Sequence, residues 1–126
     1  MIVLDTHAWI WWRSDPARLS RRATKEIDRA KRIGVSAISL WELSMLVRKK
    51  RIELDRELLE WMEGALEEPR LELLPLTPTV TALGSELEIH GDPGDRIIAA
   101  TALLSGAMLV TKDARLQCYE PLKTLW

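Results

Sequence analysis

The chain has 126 residues, of which 47% are hydrophobic and 29% are charged, a composition typical of one globular domain. It is too short for a barrel enzyme, and its single cysteine and two histidines cannot supply a closed four-ligand zinc site. We therefore expect one domain over residues 1–126, with neither a zinc finger nor a disulfide.

The net charge of −1 is unevenly distributed along the chain. Residues 1–51 carry 12 Lys and Arg against 5 Asp and Glu, whereas residues 52–126 carry 6 against 14. Basic side chains concentrated in one part of a chain suit contact with a polyanion such as RNA. They equally suit a solvated helix face, so both interpretations stay open at this point.

Features of the sequence indicate a cytoplasmic protein with no membrane partner. Asp5 follows only four residues, which leaves no room for a signal peptide, and no apolar run approaches the roughly 20 residues that a membrane span requires. Cys118 has no second cysteine to pair with, as is usual in a reducing compartment. We expect its thiol to be buried as a small apolar group.

Short apolar stretches alternate with amphipathic ones along the chain. In chain order they predict a strand at 2–4, helices at 7–13 and 20–32, a strand at 35–37, helices at 39–51 and 55–67, a strand at 71–76, helices at 78–88 and 95–105, and strands at 108–111 and 122–126. Short strands separated by helices are typical of a parallel sheet, because helices provide the long crossovers. We predict an α/β fold, a three-layer α/β/α domain with a short-stranded, mainly parallel central sheet.

Four acidic residues lie at or near the ends of predicted strands: Asp5, Glu42, Asp95 and Asp113. Each can be explained singly as a helix cap, and Ser39 to Glu42 has the spacing of a capping box. Together they are harder to explain in this way. The carboxyl ends of parallel strands meet at one edge of the sheet, so the four acids are expected in one cleft.

Clustered carboxylates call for a cation. Carboxylates within about 4–6 Å raise one another's pKa, and protonation or a bound cation relieves the repulsion. With few nitrogen or sulfur ligands in the chain, the expected ion is Mg²⁺ or Mn²⁺, which can polarise a phosphodiester for hydrolysis. The sequence has no Gly-x-Ser-x-Gly elbow and no Gly-rich phosphate loop, which disfavours covalent hydrolases and nucleoside triphosphate enzymes.

Four segments around these acids resemble the motifs of a known family, the PIN-domain ribonucleases, and in particular the VapC-type toxins of bacterial and archaeal toxin–antitoxin pairs. The segments are residues 4–12, 36–42, 90–96 and 109–113, in that order. The resemblance covers nearly the whole chain and selects the same four acids as the charge argument. It departs from the VapC subgroup at Gly94, where an aromatic residue is common, and glycine there implies a more flexible loop.

The resemblance implies a PIN domain that cleaves RNA with Mg²⁺ or Mn²⁺. Asp5 and Asp95 would be the principal metal ligands, and Glu42 and Asp113 would complete the catalytic site directly or through water. Asp92 is a candidate to share the role of Asp95. The partners that the resemblance implies are a VapB-like antitoxin and a second copy of the chain, as a homodimer.

Residues 8–12 are apolar on every side of a predicted helix and include three tryptophans. One small core does not readily bury so much apolar surface, so this segment favours a protein interface.

Two other functions remain open from the sequence alone. A receiver-like signalling domain has a similar length, an α/β architecture and an acidic Mg²⁺ pocket. It would, however, carry adjacent acids after the first strand, where this chain has Asp5 followed by Thr6. A non-catalytic binding module would use the acids only as caps and would show no dependence on metal.

Overall fold

The chain alternates between five short strands and seven α-helices, and the computed structural model describes all 126 residues. The strands are β1 (Ile2–Leu4), β2 (Ile33–Ser36), β3 (Leu71–Leu74), β4 (Met108–Val110) and β5 (Thr124–Leu125). The helices are α1 (Thr6–Ser14), α2 (Arg21–Arg29), α3 (Ile38–Arg48), α4 (Leu58–Leu66), α5 (Pro78–Glu86), α6 (Pro93–Leu104) and α7 (Ala114–Gln117), with a 3-10 turn at Pro16–Arg18. None of the helices has the length and apolar composition needed to cross a membrane.

All five strands are parallel and form one sheet in the order β3-β2-β1-β4-β5. The chain builds outward from β1 to β3 on one side and then crosses to β4 and β5 on the other. Val3 of β1 therefore lies between Gly34 and Leu109. In sheets of this kind, ligands bind beyond the carboxyl ends of the strands at the point where the order reverses. That point lies here between β1 and β4.

Side chains of β1 alternate between two apolar cores. Ile2 and Leu4 pack with residues of α1 to α4, such as Trp9, whereas Val3 packs with residues of α5, α6 and α7, such as Ile98. This alternation follows from the two-residue period of a strand. Helices consequently cover both faces of the sheet, and the predicted three-layer parallel α/β fold is confirmed.

Helices α3 and α6 begin earlier than the sequence predicts, and these shifts change which residues cap them. Helix α3 begins at Ile38 after Ala37, so Ser39 lies inside the helix and the predicted capping box is wrong. Helix α6 begins at Pro93, and the side chain of Asp92 caps it in place of Asp95. Proline suits the first turn of a helix because its missing N–H would have no partner there. The two shifts leave Glu42 and Asp95 free of capping roles, whereas Asp5 and Asp113 do cap helices α1 and α7.

More of helix α1 is buried in the core than we expect for a segment predicted to form a protein interface. Trp9 is completely buried, and Trp11 and Trp12 are half-buried. Trp41 is instead the exposed tryptophan, with 60% of its surface accessible. The core thus accommodates much of residues 8–12, and the interface at that segment stays a prediction.

Cys118 is exposed at the C-cap of α7, so the expectation of a buried thiol is wrong. Helix α7 has only four residues and buries Leu116 instead.

Replacing a buried leucine tests the assignment of the core beneath α5 and α6. Leu109 of β4 is fully buried in that core. Leu109→Ala should lower the free energy of unfolding by about 2–5 kcal/mol, because it removes apolar contacts and leaves a cavity. The control Leu59→Ala, at a side chain with 55% exposure on α4, should change it by less than about 0.5 kcal/mol. Urea denaturation measures both, and equal losses would contradict the assignment.

Candidate functional site

A cleft of about 1040 Å³ opens at the carboxyl ends of β1 and β4. Five carboxylates from different parts of the chain line it: Asp5, Glu42, Asp92, Asp95 and Asp113. The structure therefore brings together all four acids singled out in the sequence, with Asp92, the candidate to share the role of Asp95, beside them.

Asp5 follows β1 and is the N-cap of α1. Its Oδ1 accepts a hydrogen bond from the backbone N–H of Thr6 at 2.8 Å, and its Oδ2 accepts one from the hydroxyl of Thr111 at 2.7 Å. Burial raises the pKa of the Asp5 carboxyl, and the two hydrogen bonds offset this effect only in part. Asp5 is thus a buried carboxyl group whose orientation is fixed by two neighbouring threonines.

Glu42 lies on α3 and faces the same threonine that follows Asp5. Its Oε1 accepts a hydrogen bond from the Thr6 hydroxyl at 2.6 Å, and that hydroxyl also lies 2.8 Å from the Ser39 hydroxyl. Burial, together with the charges of Asp5, Asp92 and Asp95, raises the pKa of Glu42 in the metal-free protein to about 7 despite the bond to Thr6. A substantial fraction of Glu42 is therefore protonated at neutral pH.

Gly94 allows the close approach of Glu42 to α6. Gly94 is buried in the first turn of α6, and a Cβ atom placed there would lie 2.7 Å from Glu42 Oε2. The expectation of a flexible loop at this position is wrong, because the residue is helical and packed. An aromatic residue at position 94 would instead displace the Glu42 carboxyl group.

Asp95 is buried in the first turn of α6. Burial, followed by the negative charges of Asp5 and Asp113, raises its pKa to about 6. Asp92 makes the capping bond, in which its Oδ1 accepts the backbone N–H of Gly94 at 2.8 Å. Asp95 is thereby left free for another role, and a role shared with Asp92 stays a prediction.

Asp113 is engaged by Arg115, a residue that the sequence analysis missed. Asp113 Oδ1 accepts the backbone N–H of Arg115 at 2.8 Å, and Asp113 Oδ2 accepts a bond from Arg115 Nη2 at 2.9 Å. The same Nη2 lies 3.2 Å from Asp95 Oδ2. The Arg115 guanidinium holds the pKa of Asp113 below its usual range. In the sequence, the only sign of this contact is the position of Arg115 two residues after a capping acid.

Positive charge also reaches the cleft. Four basic side chains line it: Lys49, Arg51, Lys112 and Arg115. Helices α1 and α6 begin at the same edge, and helix N-termini favour anions. Basic residues of α2, prominent in the sequence, do not line this cleft. The arrangement can therefore hold an anion such as a phosphate beside the carboxylates.

The donor chemistry of the cleft fits a hard divalent ion, although no preformed cage is present. No three or more Asp, Glu, His or Cys side chains lie close enough to enclose an ion. Mg²⁺ retains several waters and takes only one or two carboxylates directly, so a cage is not required. Asp5 and Asp95 offer carboxylate oxygens, and the charge of Asp5 already raises the pKa of Asp95. A cation between them would relieve this repulsion.

The amino-acid sequence matches a family model and a known protein over most of its length. Residues 2–120 match the family model of the PIN domain. Over 120 residues the chain is 40% identical to Ribonuclease VapC22 of Mycobacterium tuberculosis, and the match covers 94% of this chain and 91% of that protein.

Solved structures show the same fold at lower identity. VapBC2 from Rickettsia felis, bound to a DNA fragment from their promoter, matches with a TM-score of 0.73 at 20% identity, covering 99% of this chain and 98% of that chain. FitAcB from Neisseria gonorrhoeae matches with a TM-score of 0.68 at 22% identity, covering 100% and 97%.

The raised pKa values predict how the stability of the metal-free protein depends on pH. Folding raises the pKa of Glu42 from its ordinary value of 4.5 to about 7, so the folded state binds this proton more tightly than the unfolded state. The resulting stabilisation is complete below pH 4.5, the pKa of the unfolded state, and is lost as the pH rises through the folded-state pKa of about 7. Glu42→Gln should therefore raise Tm in chelator at pH 8 by roughly 2–5 °C and flatten its pH dependence, as measured by scanning calorimetry.

Glu63 on α4 provides the matched control, because it is exposed and lies outside the cleft. Glu63→Gln should leave both Tm and its pH dependence unchanged. A Glu42→Gln variant that melts below the wild type at pH 8 would show that ionised Glu42 stabilises the fold, contrary to the expected sign.

Proposed function

The chain belongs to the PIN-domain family, and we propose that it is a metal-dependent endoribonuclease, the toxin of a VapBC-type toxin–antitoxin pair. Its substrate is RNA, whose phosphodiester bonds it hydrolyses. Residues 1–126 form the single PIN domain that carries this activity. The observation that carries the proposal is the cleft shared by Asp5, Glu42, Asp95 and Asp113. Family membership favours this activity over a receiver-like signalling role.

Asp5 and Asp95 are the proposed ligands of Mg²⁺ or Mn²⁺, and Glu42 and Asp113 complete the catalytic site directly or through water. When bound, the ion supplies positive charge to a phosphoryl oxygen and lowers the pKa of water. The hydrogen bonds to both oxygens of Asp5 hold that carboxyl group in one orientation, which favours binding of an ion in a defined position.

Glu42 is suited to proton transfer at neutral pH. In the metal-free protein its pKa is about 7, and a bound cation would lower this pKa and so favour the ionised form that a general base requires. Thr6 donates to Glu42 Oε1, whereas Oε2 accepts no hydrogen bond from the protein. We assign Oε2 as the atom that accepts a proton from the attacking water.

Binding of the RNA backbone uses the basic side chains at the cleft. Lys49, Arg51 and Lys112 line it beside the carboxylates. Contacts of this kind with phosphates supply most of the affinity for nucleic acid that does not depend on sequence. They place a phosphodiester next to the acids, where the chemistry occurs.

Substitution of the proposed metal ligands tests the activity. Asp5→Asn and Asp95→Asn should each lower kcat/KM for Mg²⁺- or Mn²⁺-dependent RNA cleavage by at least about 100-fold, because each removes a charged ligand from the ion. Cleavage of a fluorogenic RNA measures the loss, and circular dichroism checks that the variants are folded. The control Asp28→Asn, at an exposed residue of α2, should cleave at the wild-type rate.

Full activity in either ligand variant would contradict the site assignment. Wild-type protein that binds RNA but never cleaves it, with or without metal, would favour the non-catalytic binding module.

The proposed protein partners are a VapB-like antitoxin and a second copy of the chain. The proposed place of RNA cleavage is the cytoplasm. The relationship to VapBC proteins supports the antitoxin. On this chain, Trp41 of α3 is 60% exposed and lines the cleft with the apolar side chains of Trp11 and Met45. A large exposed aromatic side chain is a frequent anchor of protein interfaces. We assign this wall of the cleft to the antitoxin.

Removing the exposed indole tests the antitoxin surface. Trp41→Ser should weaken binding of the cognate antitoxin by at least about 10-fold, as expected for loss of an aromatic anchor. Isothermal titration calorimetry measures the Kd. Leu104→Ser is the control, because Leu104 is 47% exposed but lies at the far end of α6, outside the cleft. An unchanged Kd for Trp41→Ser would remove this surface from the proposal.

A further inference from the structure

We propose that Arg115 supplies the second positive charge of the acidic site, so that one divalent ion binds per chain instead of two. This inference rests on the proposed function, because it concerns the carboxylates assigned to catalysis.

The guanidinium group of Arg115 lies between two of the site carboxylates. Its Nη2 is 2.9 Å from Asp113 Oδ2 and 3.2 Å from Asp95 Oδ2. Arg115 Nε and the backbone N–H of Arg115 both donate to Asp113 Oδ1, at 3.3 and 2.8 Å. Arg115 thus engages both oxygens of Asp113 but only one oxygen of Asp95. The other oxygen of Asp95 remains available to an ion.

The backbone before α6 packs closely against this guanidinium group. Arg115 Nη1 donates to the carbonyl oxygen of His90 at 3.3 Å. Gly91 has a φ of +122°, and a Cβ atom there would lie 1.8 Å from Arg115 Nη1. A residue with a side chain would occupy the space that the guanidinium fills. The Arg115 side chain is 52% exposed, but its contacts with two segments of the fold limit its position.

The distribution of charge in the cleft agrees with one remaining cation site. In sites with two metal ions, the ions lie roughly 3.5–4 Å apart and share ligands. A second ion here would need Asp113, whose oxygens are already bonded to a cation that stays protonated at any physiological pH. The carboxyl groups of Asp5 and Glu42 accept hydrogen bonds only from neutral groups. No side-chain cation of the protein is therefore bonded to Asp5 or Glu42, and one divalent ion suffices on that side of the cleft.

Metal stoichiometry tests the inference directly. Titration with Mn²⁺, followed by calorimetry and by electron paramagnetic resonance of the free ion, should give one Mn²⁺ per wild-type chain. Arg115→Met should bind two Mn²⁺ per chain, because it frees both oxygens of Asp113. The same variant should show a lower Tm in chelator, since two carboxylates lose their counter-ion.

Lys112→Met is the matched control for charge. Lys112 lines the same cleft, so the variant loses the same charge, but Lys112 makes no hydrogen bond or ion pair with the carboxylates. It should bind one Mn²⁺, like the wild type.

A second variant displaces the guanidinium without removing it. Gly91→Ala places a methyl group in the position of Arg115 Nη1 and should also bind two Mn²⁺. Gly106→Ala is its control, because Gly106 has a φ of +60° but no atom within 4 Å of an added Cβ. It places alanine at another position with positive φ, without touching Arg115, and should bind one Mn²⁺.

Two Mn²⁺ ions per wild-type chain would overturn the inference, as would a single Mn²⁺ in both Arg115→Met and Gly91→Ala. If Arg115→Met and Lys112→Met bind the same number of Mn²⁺ ions, Arg115 acts only through the net charge of the cleft. This result would also overturn the inference. Wild-type protein that binds two ions and still cleaves RNA would overturn this inference alone. Wild-type protein that binds no ion would overturn the proposed metal-dependent function as well.

Discussion

The burial of several carboxyl groups in one cleft is the constraint on which the organisation of this protein depends. Burial and mutual charge raise the pKa of Asp5, Glu42 and Asp95 in one cleft. The fold offsets part of this cost with hydroxyl and backbone donors, helix N-termini and one guanidinium group. A divalent cation would offset the rest, so the feature that weakens the metal-free fold is the same feature that would bind the ion.

The fold class and the location of the acids could be predicted from the sequence because both follow from simple periodic rules. Short apolar strands separated by helices require parallel pairing, and parallel pairing brings strand ends to one edge. Asp5 and Asp113 follow β1 and β4, and these strands are neighbours in the sheet. The positions of the helix ends could be predicted less well from the sequence. Ser39 has the sequence of a cap, but its hydroxyl lies beside Thr6 inside the fold.

The contacts that define the site in detail could not be predicted, because they join residues far apart in the chain. Glu42 reaches α6 only because Gly94 has no side chain, and no local pattern links these two positions. Arg115 meets Asp95 only after α6 and α7 have been placed on the same side of the sheet. Helix α7 itself has four residues, too few for a periodic pattern to be read.

The central position of β1 has a consequence for the order in which the molecule becomes complete during synthesis. Asp5 is hydrogen-bonded to Thr111, 106 positions later, and β1 pairs with β4 near the end of the chain. A nascent polypeptide that has emerged only as far as α5 contains Asp5 and Glu42 but lacks β4 and the three cleft aspartates that follow α5. The acidic centre therefore assembles only after β4 and α7 have been synthesised, and a nascent chain that has emerged only as far as α5 carries an incomplete centre.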